Sequence, residues 1–516
     1  MAVVVSAPGK VLMTGGYLIL ERPNAGLVLS TTARFYAIVK PLYEEMKPDS
    51  KSWAWAWTDV KVRSPQLYRE ADYKLSLTNS ELRIVSSRES ANPFVEQAVQ
   101  YAVAAAQVIH TDKGSNDIIH KLLLQGLDIT ILGSNDFYSY RRLIEARGLP
   151  LSPEVLASLP PFSSITFNTN ELSGEDLGVN CKPEVAKTGL GSSAAMTTAV
   201  VAAILHYLQV ANLPVSSKAT QGEKVTGSEL DLVHIVAQSA HCMAQGKVGS
   251  GFDVSSAVYG CQRYVRFSPE VLSAAQAGVG GRSLHMIISD ILKGKWDHEK
   301  SHFSLPPLMT LLLGEPGTGG SATPSLVGAV KQWQKSDPQG SLETWKRLGE
   351  ANSKLEVQLK LLKKIAEEQF ETYKYIIGSC SHHTPEKWME QAADLCQESI
   401  VKSLLGAREA ILEIRSYMQK MGKAAGVPIE PESQTQLVDA TMSMEGVLLA
   451  GVPGAGGFDA IYAITLGESG TNVAKAWSSL GVLPMLVRED AEGVHLESDD
   501  PRAKEISSGI SSVHIE

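Results

Sequence analysis

Short apolar runs rich in β-branched residues mark the first half of the chain, and long stretches of helical periodicity mark the second. Ala2 to Val5 is an apolar run ending in Ser-Ala-Pro-Gly, the pattern of a strand entering a turn. Leu27 to Val39 has strand composition. Trp53, Trp55 and Trp57 alternate with Ala54 and Ala56, so in a strand all three indoles share one face, and a half-buried strand on an irregular insertion accounts for them. Asn92-Pro93 opens an Ala/Val-rich helix reaching His110. Gly114 to Pro161 is variable, and its aromatic and basic stretch 135–142 is expected as a surface loop. Ser192 to Leu208 is small and strongly apolar, the composition of a helix buried between other elements. Ser239 to Gly246 reads as a further helix stopped by glycine. Gly-Val-Gly-Gly-Arg at 278–282 is expected as a linker, and Trp333 to Gln419 as long, charged, amphipathic helix. Strand and glycine-rich loop return over Gly446 to Leu466, with a last strand near Val482 to Arg488. The pattern predicts an α+β fold in two halves, 1–280 and 281–516, the second helix-rich.

Composition narrows the function classes. Apolar residues make up 44% and charged residues 20%, a globular mixture without a disorder signature. Lys and Arg total 47 against 56 Asp and Glu, a net charge of −9 that argues against nucleic acid or an anionic membrane as partner. It leaves room for a few cations focused in one cleft. The five cysteines, at 181, 242, 261, 380 and 396, show no C-x-x-C, so reduced thiols in an intracellular protein are expected. The amino terminus lacks a signal-peptide pattern, no run of 18 apolar residues reads as a membrane span, and the final residues form no peroxisomal tripeptide. A cytosolic location is expected, with import through an internal address left open.

The most informative segment is Lys187-Thr-Gly-Leu-Gly-Ser-Ser-Ala-Ala-Met196. Its glycines let backbone approach a ligand closely, and the serines open a helix whose first amides are unpaired. Free N–H groups and the helix dipole both favour phosphate there. Ser192 or Ser193 could cap the helix, and a hydroxyl there could reach a phosphate-bound Mg²⁺. There is no G-x-x-x-x-G-K-[ST]. Gly189, Gly191 and Ala194 do satisfy G-x-G-x-x-A, but residues 181–187 make a poor buried strand and the next acid, Glu223, is too distant for a dinucleotide site. A mere glycine turn with a serine cap is the plain alternative. Three further segments are ambiguous singly. Ala7 to Tyr17 holds Lys10 beside Pro-Gly, where a solvated lysine is the usual reading. Gly249-Ser-Gly-Phe-Asp-Val254 puts Asp253 at a helix start, where an N-cap suffices. Gly451 to Asp459 is a second glycine-dense loop, as suited to close packing as to ligand contact.

Together the four segments resemble the motifs of the GHMP kinase superfamily, named for galactokinase, homoserine, mevalonate and phosphomevalonate kinases. Pro8 to Tyr17 looks like its first motif, Lys187 to Ala195 its second and Gly451 to Asp459 its third, so the resemblance spans nearly the whole chain. Gly15 to Glu21 stands where the sugar and mevalonate kinases carry a Gly-Glu-His type sequence. That form, with 187–196, 249–254 and 429–441, is similar to the plant-like, long phosphomevalonate kinases.

The resemblance implies two domains with ATP and acceptor meeting in the cleft between them. The first would carry a left-handed β-α-β unit, and the second would be ferredoxin-like with a helical insertion. It further implies that Lys187, Gly189, Leu190, Gly191, Ser192, Ser193 and Ala194 hold ATP and that Ser193 serves Mg²⁺. Lys10, Lys187 and Asp253 fall at catalytic positions. The implied acceptor is 5-phosphomevalonate, with Lys10, Tyr17, Ser250, Gly251, Arg263, Ser321 and Thr323 as candidate contacts. Such an acceptor phosphate has a second pKa of about 6, so it needs cations more than a base, and Asp253 is expected to orient rather than deprotonate. An alcohol-phosphorylating relative, a decarboxylase of the same fold and a non-catalytic ATP-binding scaffold are the alternatives. Retention of Lys10, Lys187 and Asp253 together speaks against the scaffold.

Overall fold

The computed structural model describes residues 2–44, 56–87, 92–110, 113–165, 186–216, 227–276, 282–317 and 323–503. Much of the Trp53–Trp57 alternation and of the 278–282 linker therefore lies outside the described residues. The first half is built on β1 (Val3–Thr14), β2 (Ala25–Pro41), β3 (Trp57–Ser64), β4 (Arg69–Ser76), β5 (Leu82–Ser87), β6 (Leu127–Gly133), β7 (Gln262–Val265) and β8 (Glu299–His302). The second half supplies β9 (Met309–Glu315), β10 (Val447–Gly451), β11 (Ile461–Leu466), β12 (Leu483–Pro484) and finally β13 (His495–Leu496).

Among the described residues, nine strands form one sheet in the order β13-β1-β2-β6-β3-β4-β5, with β7 on β2 and β8 on β7. The expected turn after Val5 is instead a continuous strand. β1 runs on to Thr14, and its register on β2 slips between Pro8 and Lys10, where proline has no N–H to give the ladder. The bulge re-aims Lys10 without ending the strand. β6, which the variable 114–161 segment concealed, is buried along its length and pairs with β3 in parallel.

Helices cover one face. The described part of the chain supplies α1 (Pro93–Ile109), α2 (Ser192–Tyr207), α3 (Gly227–Gln245) and α4 (Phe252–Tyr259) in turn. Asn92 caps α1 by accepting from Phe94 N at 3.2 Å, with Pro93 in the first turn as the sequence signalled. α2 is buried from Ala194 to Leu205 apart from Met196, and its small residues let it lie close against β1, β2, α1 and α3.

The other sheet is antiparallel, ordered β10-β11-β9-β12, and the long helices α5 (Pro338–Glu368) and α6 (Leu395–Ala425) pack on each other beside it. A boundary at 280 cuts through the first sheet's share of the chain, because β8 still pairs with β7. The crossing lies between His302 and Met309. The tail then returns, pairing Val5 with Leu496 on the edge of the first sheet. Arg34 holds it there, with Nε on Ser6 Oγ at 2.7 Å and Nη1 on Asp490 Oδ2 at 3.3 Å. One continuous cluster of buried side chains runs from Val5 to Val494 through both halves.

A group of rings beneath α3 gives the molecule an acid-sensitive point. His234 is fully buried, neither ring nitrogen has a hydrogen-bond partner among the described residues, and its ring lies 4.5 Å from that of His298. Tyr259 and Trp296 complete the box. Asp231 closes it, accepting from Tyr259 and Lys300, each at 2.6 Å. Burial pushes both imidazoles down, His298 to about 4, with Lys300 and Arg22 opposing its charge and Asp231 and Asp297 favouring it. The unfolded chain binds these protons near the ordinary 6.5, so it carries more of them below that pH and stability falls as pH drops. The melting temperature is expected to decline from pH 6.5 towards 4, and less steeply in His298→Phe. Equal slopes in both proteins would exclude the box as a source.

Candidate active site

A cleft of about 390 Å³ opens between the sheets. Its lining includes β1 at Lys10, the loop 187–193, the turn 248–253 and, from the second half, Leu313 and the 453–460 glycine loop. The four segments singled out in the sequence thus meet at one place.

Gly189 and Gly191 both have φ of +77°, the left-handed region, and a Cβ on Gly191 would stand 2.9 Å from Lys10 Cε. That geometry requires glycine. Gly191 itself is the N-cap of α2 with no side-chain cap, so neither serine caps the helix, and Gly191, Ser192 and Ser193 line the cleft at the helix start. The Ser193 hydroxyl instead meets His241 Nε2 at 3.1 Å.

The bed of this loop is the 135–142 stretch. It is not a surface loop. Phe137, Tyr138 and Tyr140 are buried, Tyr138 bridges to Lys187, Ser139 N donates to Ala186 O at 3.0 Å and Thr188 N donates to Phe137 O at 3.3 Å. The aromatic residues in that stretch were the signal, since a solvated loop does not need three.

Lys10 is tied to the loop twice. Its backbone N donates to Leu190 O and its Nζ to Gly189 O, both at 2.9 Å, and Nζ stands 5.5 Å from the Phe252 ring centre. Burial lowers the Lys10 ammonium from its ordinary value, and the Asp253 carboxylate opposes that shift. Lys187 is exposed, and partial desolvation with the nearby Arg69 lowers its ammonium in the same direction. Asp253 lies in the first turn of α4, where Oδ1 accepts from Val254 N at 3.0 Å and the N-cap is Gly251, not Asp253. Its charge also acts on His241, whose imidazole burial lowers. Lys10, Asp253, His241 and Ser193 therefore form one cluster.

The third motif clamps β1 to the second half. Gly454 N donates to Leu12 O at 3.1 Å, Tyr462 of β11 adds its Oη to Met13 O at 3.2 Å, and Gly457 N fixes the loop within the second half on Ile429 O at 2.7 Å. Tyr17 lines the cleft, but it is buried and its hydroxyl is donated to Ala455 O at 2.8 Å, so it belongs to this clamp. Ser250 and Gly251 line the cleft.

Arg263 does not reach it. Strand alternation turns its side chain to Glu356 of α5, Nε to Oε1 at 3.0 Å, in a separate groove. Ser321 lies outside the described residues. Thr323 begins a helix ending at Ser336, and its side chain is likewise outside the description. Lys247, Lys331 and His241 line the cleft without having been singled out. Lys331 sits on an amphipathic helix where any lysine looks solvated, and His241 has the apolar neighbours of a core histidine.

Comparison with known proteins gives this cleft a lineage. Residues 180–261 match the GHMP kinases N terminal domain. The Arabidopsis thaliana phosphomevalonate kinase, named as peroxisomal, is 65% identical over 516 residues, all of both chains. A phosphomevalonate kinase of Aspergillus fumigatus is 32% identical over 88% of this chain and 85% of its own. Among solved structures, the Streptococcus pneumoniae phosphomevalonate kinase in complex with phosphomevalonate and AMPPNP matches 96% of this chain and 100% of its own, at 15% identity and a TM-score of 0.52. A Listeria innocua protein matches 97% of this chain and 100% of its own, at 16% identity and 0.58. The structural likenesses speak for the fold alone. The sequence identity, sustained along the whole length, carries the rest: the chain belongs to the phosphomevalonate kinases of the GHMP kinase family.

Proposed function

We propose that the chain transfers the γ-phosphoryl group of ATP to the phosphate of 5-phosphomevalonate, yielding 5-diphosphomevalonate and ADP. The observation that carries this reading is the convergence of Lys10, Lys187, Asp253 and the amides opening α2 on one cleft. Phosphoryl transfer is mostly positioning and charge stabilisation. The amides of 189–193 and Lys187 receive the nucleotide phosphates, while the Ala194 amide is spent inside the helix on Gly191 O, and Lys10 is the cation for the transferred group. The acceptor phosphate is a dianion above about pH 6 and already a nucleophile. Asp253 therefore orients Lys10 rather than removing a proton.

A divalent cation fits this site only in company with the nucleotide. Among the described residues no group of three or more His, Cys, Asp or Glu could hold a metal ion unaided. The Ser193 hydroxyl is the protein ligand at hand, which suits Mg²⁺ bound chiefly by phosphates and water. Bound there, Mg²⁺ would neutralise phosphate charge. The two lobes of the site are 1–302 with the returning tail, and 309–484.

With Arg263 drawn away, exposed Lys247 and Lys331 are, among the described residues, cations that line the cleft and suit the acceptor's phosphate and carboxylate. Lys247→Ala and Lys331→Ala are each expected to raise the acceptor KM roughly ten- to a hundred-fold, the worth of a charged hydrogen bond of about 1.5–3 kcal/mol, with the ATP KM little changed. ADP release by purified protein across 5-phosphomevalonate, mevalonate, galactose and homoserine tests the whole reading. Faster turnover of an alcohol than of 5-phosphomevalonate would replace it with an alcohol kinase in which Asp253 is the base.

A further inference from the structure

His241 is the one member of the cleft cluster to which the reaction above gives no task. It stands on α3 and is 2% exposed, with its ring 5.3 Å from Phe94 at 39°, so packing fixes its orientation. Its Nε2 lies 3.1 Å from Ser193 Oγ. Among the described residues His241 is the partner shown for that hydroxyl, and the cap of α2 is Gly191 rather than a serine. A free serine hydroxyl at a helix start rotates among its staggered positions and can offer the cleft either its proton or its lone pairs. A partner at one fixed point removes that choice.

We propose that His241 is a positioning residue: its Nε2 accepts the Ser193 proton and so turns the serine oxygen's lone pairs towards the divalent cation that accompanies ATP. The arrangement is that of an outer partner orienting a metal ligand. The same hydrogen bond joins α3 to the phosphate loop, so the ligand's direction is set by packing two elements away from the nucleotide.

The proposal rests on the nucleotide reading of the loop, and ADP binding by calorimetry separates the two. Wild-type protein that binds no ADP, with or without Mg²⁺, would overturn the nucleotide reading itself. Given wild-type binding that Mg²⁺ strengthens, His241→Leu is expected to shrink that strengthening by about 10-fold or more, as loss of a second partner does at metal sites, and to leave metal-free ADP affinity alone. His241→Gln, whose amide reaches the Nε2 position, keeps most of it. In a Ser193→Ala background the His241 change moves the ratio no further. If His241→Leu does not fold, His241→Asn, whose amide falls short of Nε2, is read the same way. An unchanged ratio, equal weakening with and without Mg²⁺, or losses that add to those of Ser193→Ala would each overturn the positioning role.

Discussion

Lys10→Ala is expected to lower turnover roughly 10²–10³-fold, the loss that follows removal of one fixed donor from a developing charge. ADP affinity is expected to change far less, because the loop keeps its amides and Lys187. The size of the effect follows from how Lys10 is held. Its backbone N and its Nζ are both bonded to the phosphate loop, at Leu190 O and Gly189 O, so the ammonium is placed before substrate arrives. Lys10 is partly buried, and a partly desolvated charge acts more strongly on a neighbouring phosphate than one in water. Lys187→Ala is expected to behave in the same direction. Turnover left intact in both variants would remove the catalytic assignment. Asp253→Asn distinguishes the carboxylate's role. A base contributes about 10²–10⁴-fold, and its loss would fade as pH rises past the acceptor's second pKa of about 6. For an orienting Asp253 the loss persists at every pH.

The largest expected effect on folding comes from the glycine loop. Gly456→Ala is expected to cost about 2–5 kcal/mol, summing about 1–2 for a side chain in the left-handed region and about 1–3 for overpacking. Gly456 has φ of +77° and its Cβ would stand 2.0 Å from Ile429 O, a backbone atom that cannot step aside. Gly454, in the same loop with φ of +65°, has nothing within 4 Å of such a Cβ. Gly454→Ala is therefore expected to cost only the backbone part, about 1–2 kcal/mol. Urea unfolding of the two variants checks the difference. Equal losses would mean that close packing against Ile429 does not hold the clamp.

Recognition of the site was easier than recognition of its walls. The segment 187–196 stood out locally as a candidate anion site, because glycines before a serine-opened apolar helix suit backbone approach to a ligand. The Ala/Val-rich α1, with its Asn92 cap and Pro93, and the uniformly small, apolar α2 were equally legible, because their composition lies within the segment itself, although the cap of α2 is Gly191 and not a serine. Three readings failed for one reason. The strand β1 was ended at Val5, yet pairing with β2 carries it past Pro8 through a bulge. The stretch 135–142 was read as surface, yet the phosphate loop covers it. Arg263 was read as a substrate contact, yet strand alternation and Glu356 turn it elsewhere. In each, the deciding partner lies far along the sequence.

The chain's own order of residues determined the helix starts, the left-handed glycines of the loop and the chemical types gathered for phosphate. Those follow from short-range sterics and hydrogen bonding, which a segment carries with it. Only the tertiary structure decided that the tail returns to β1, that Tyr17 serves the clamp, and that His241 reaches Ser193. Those contacts join residues distant in sequence, and their energy comes from burial and hydrogen bonding that exist only once both sheets have closed on the cleft.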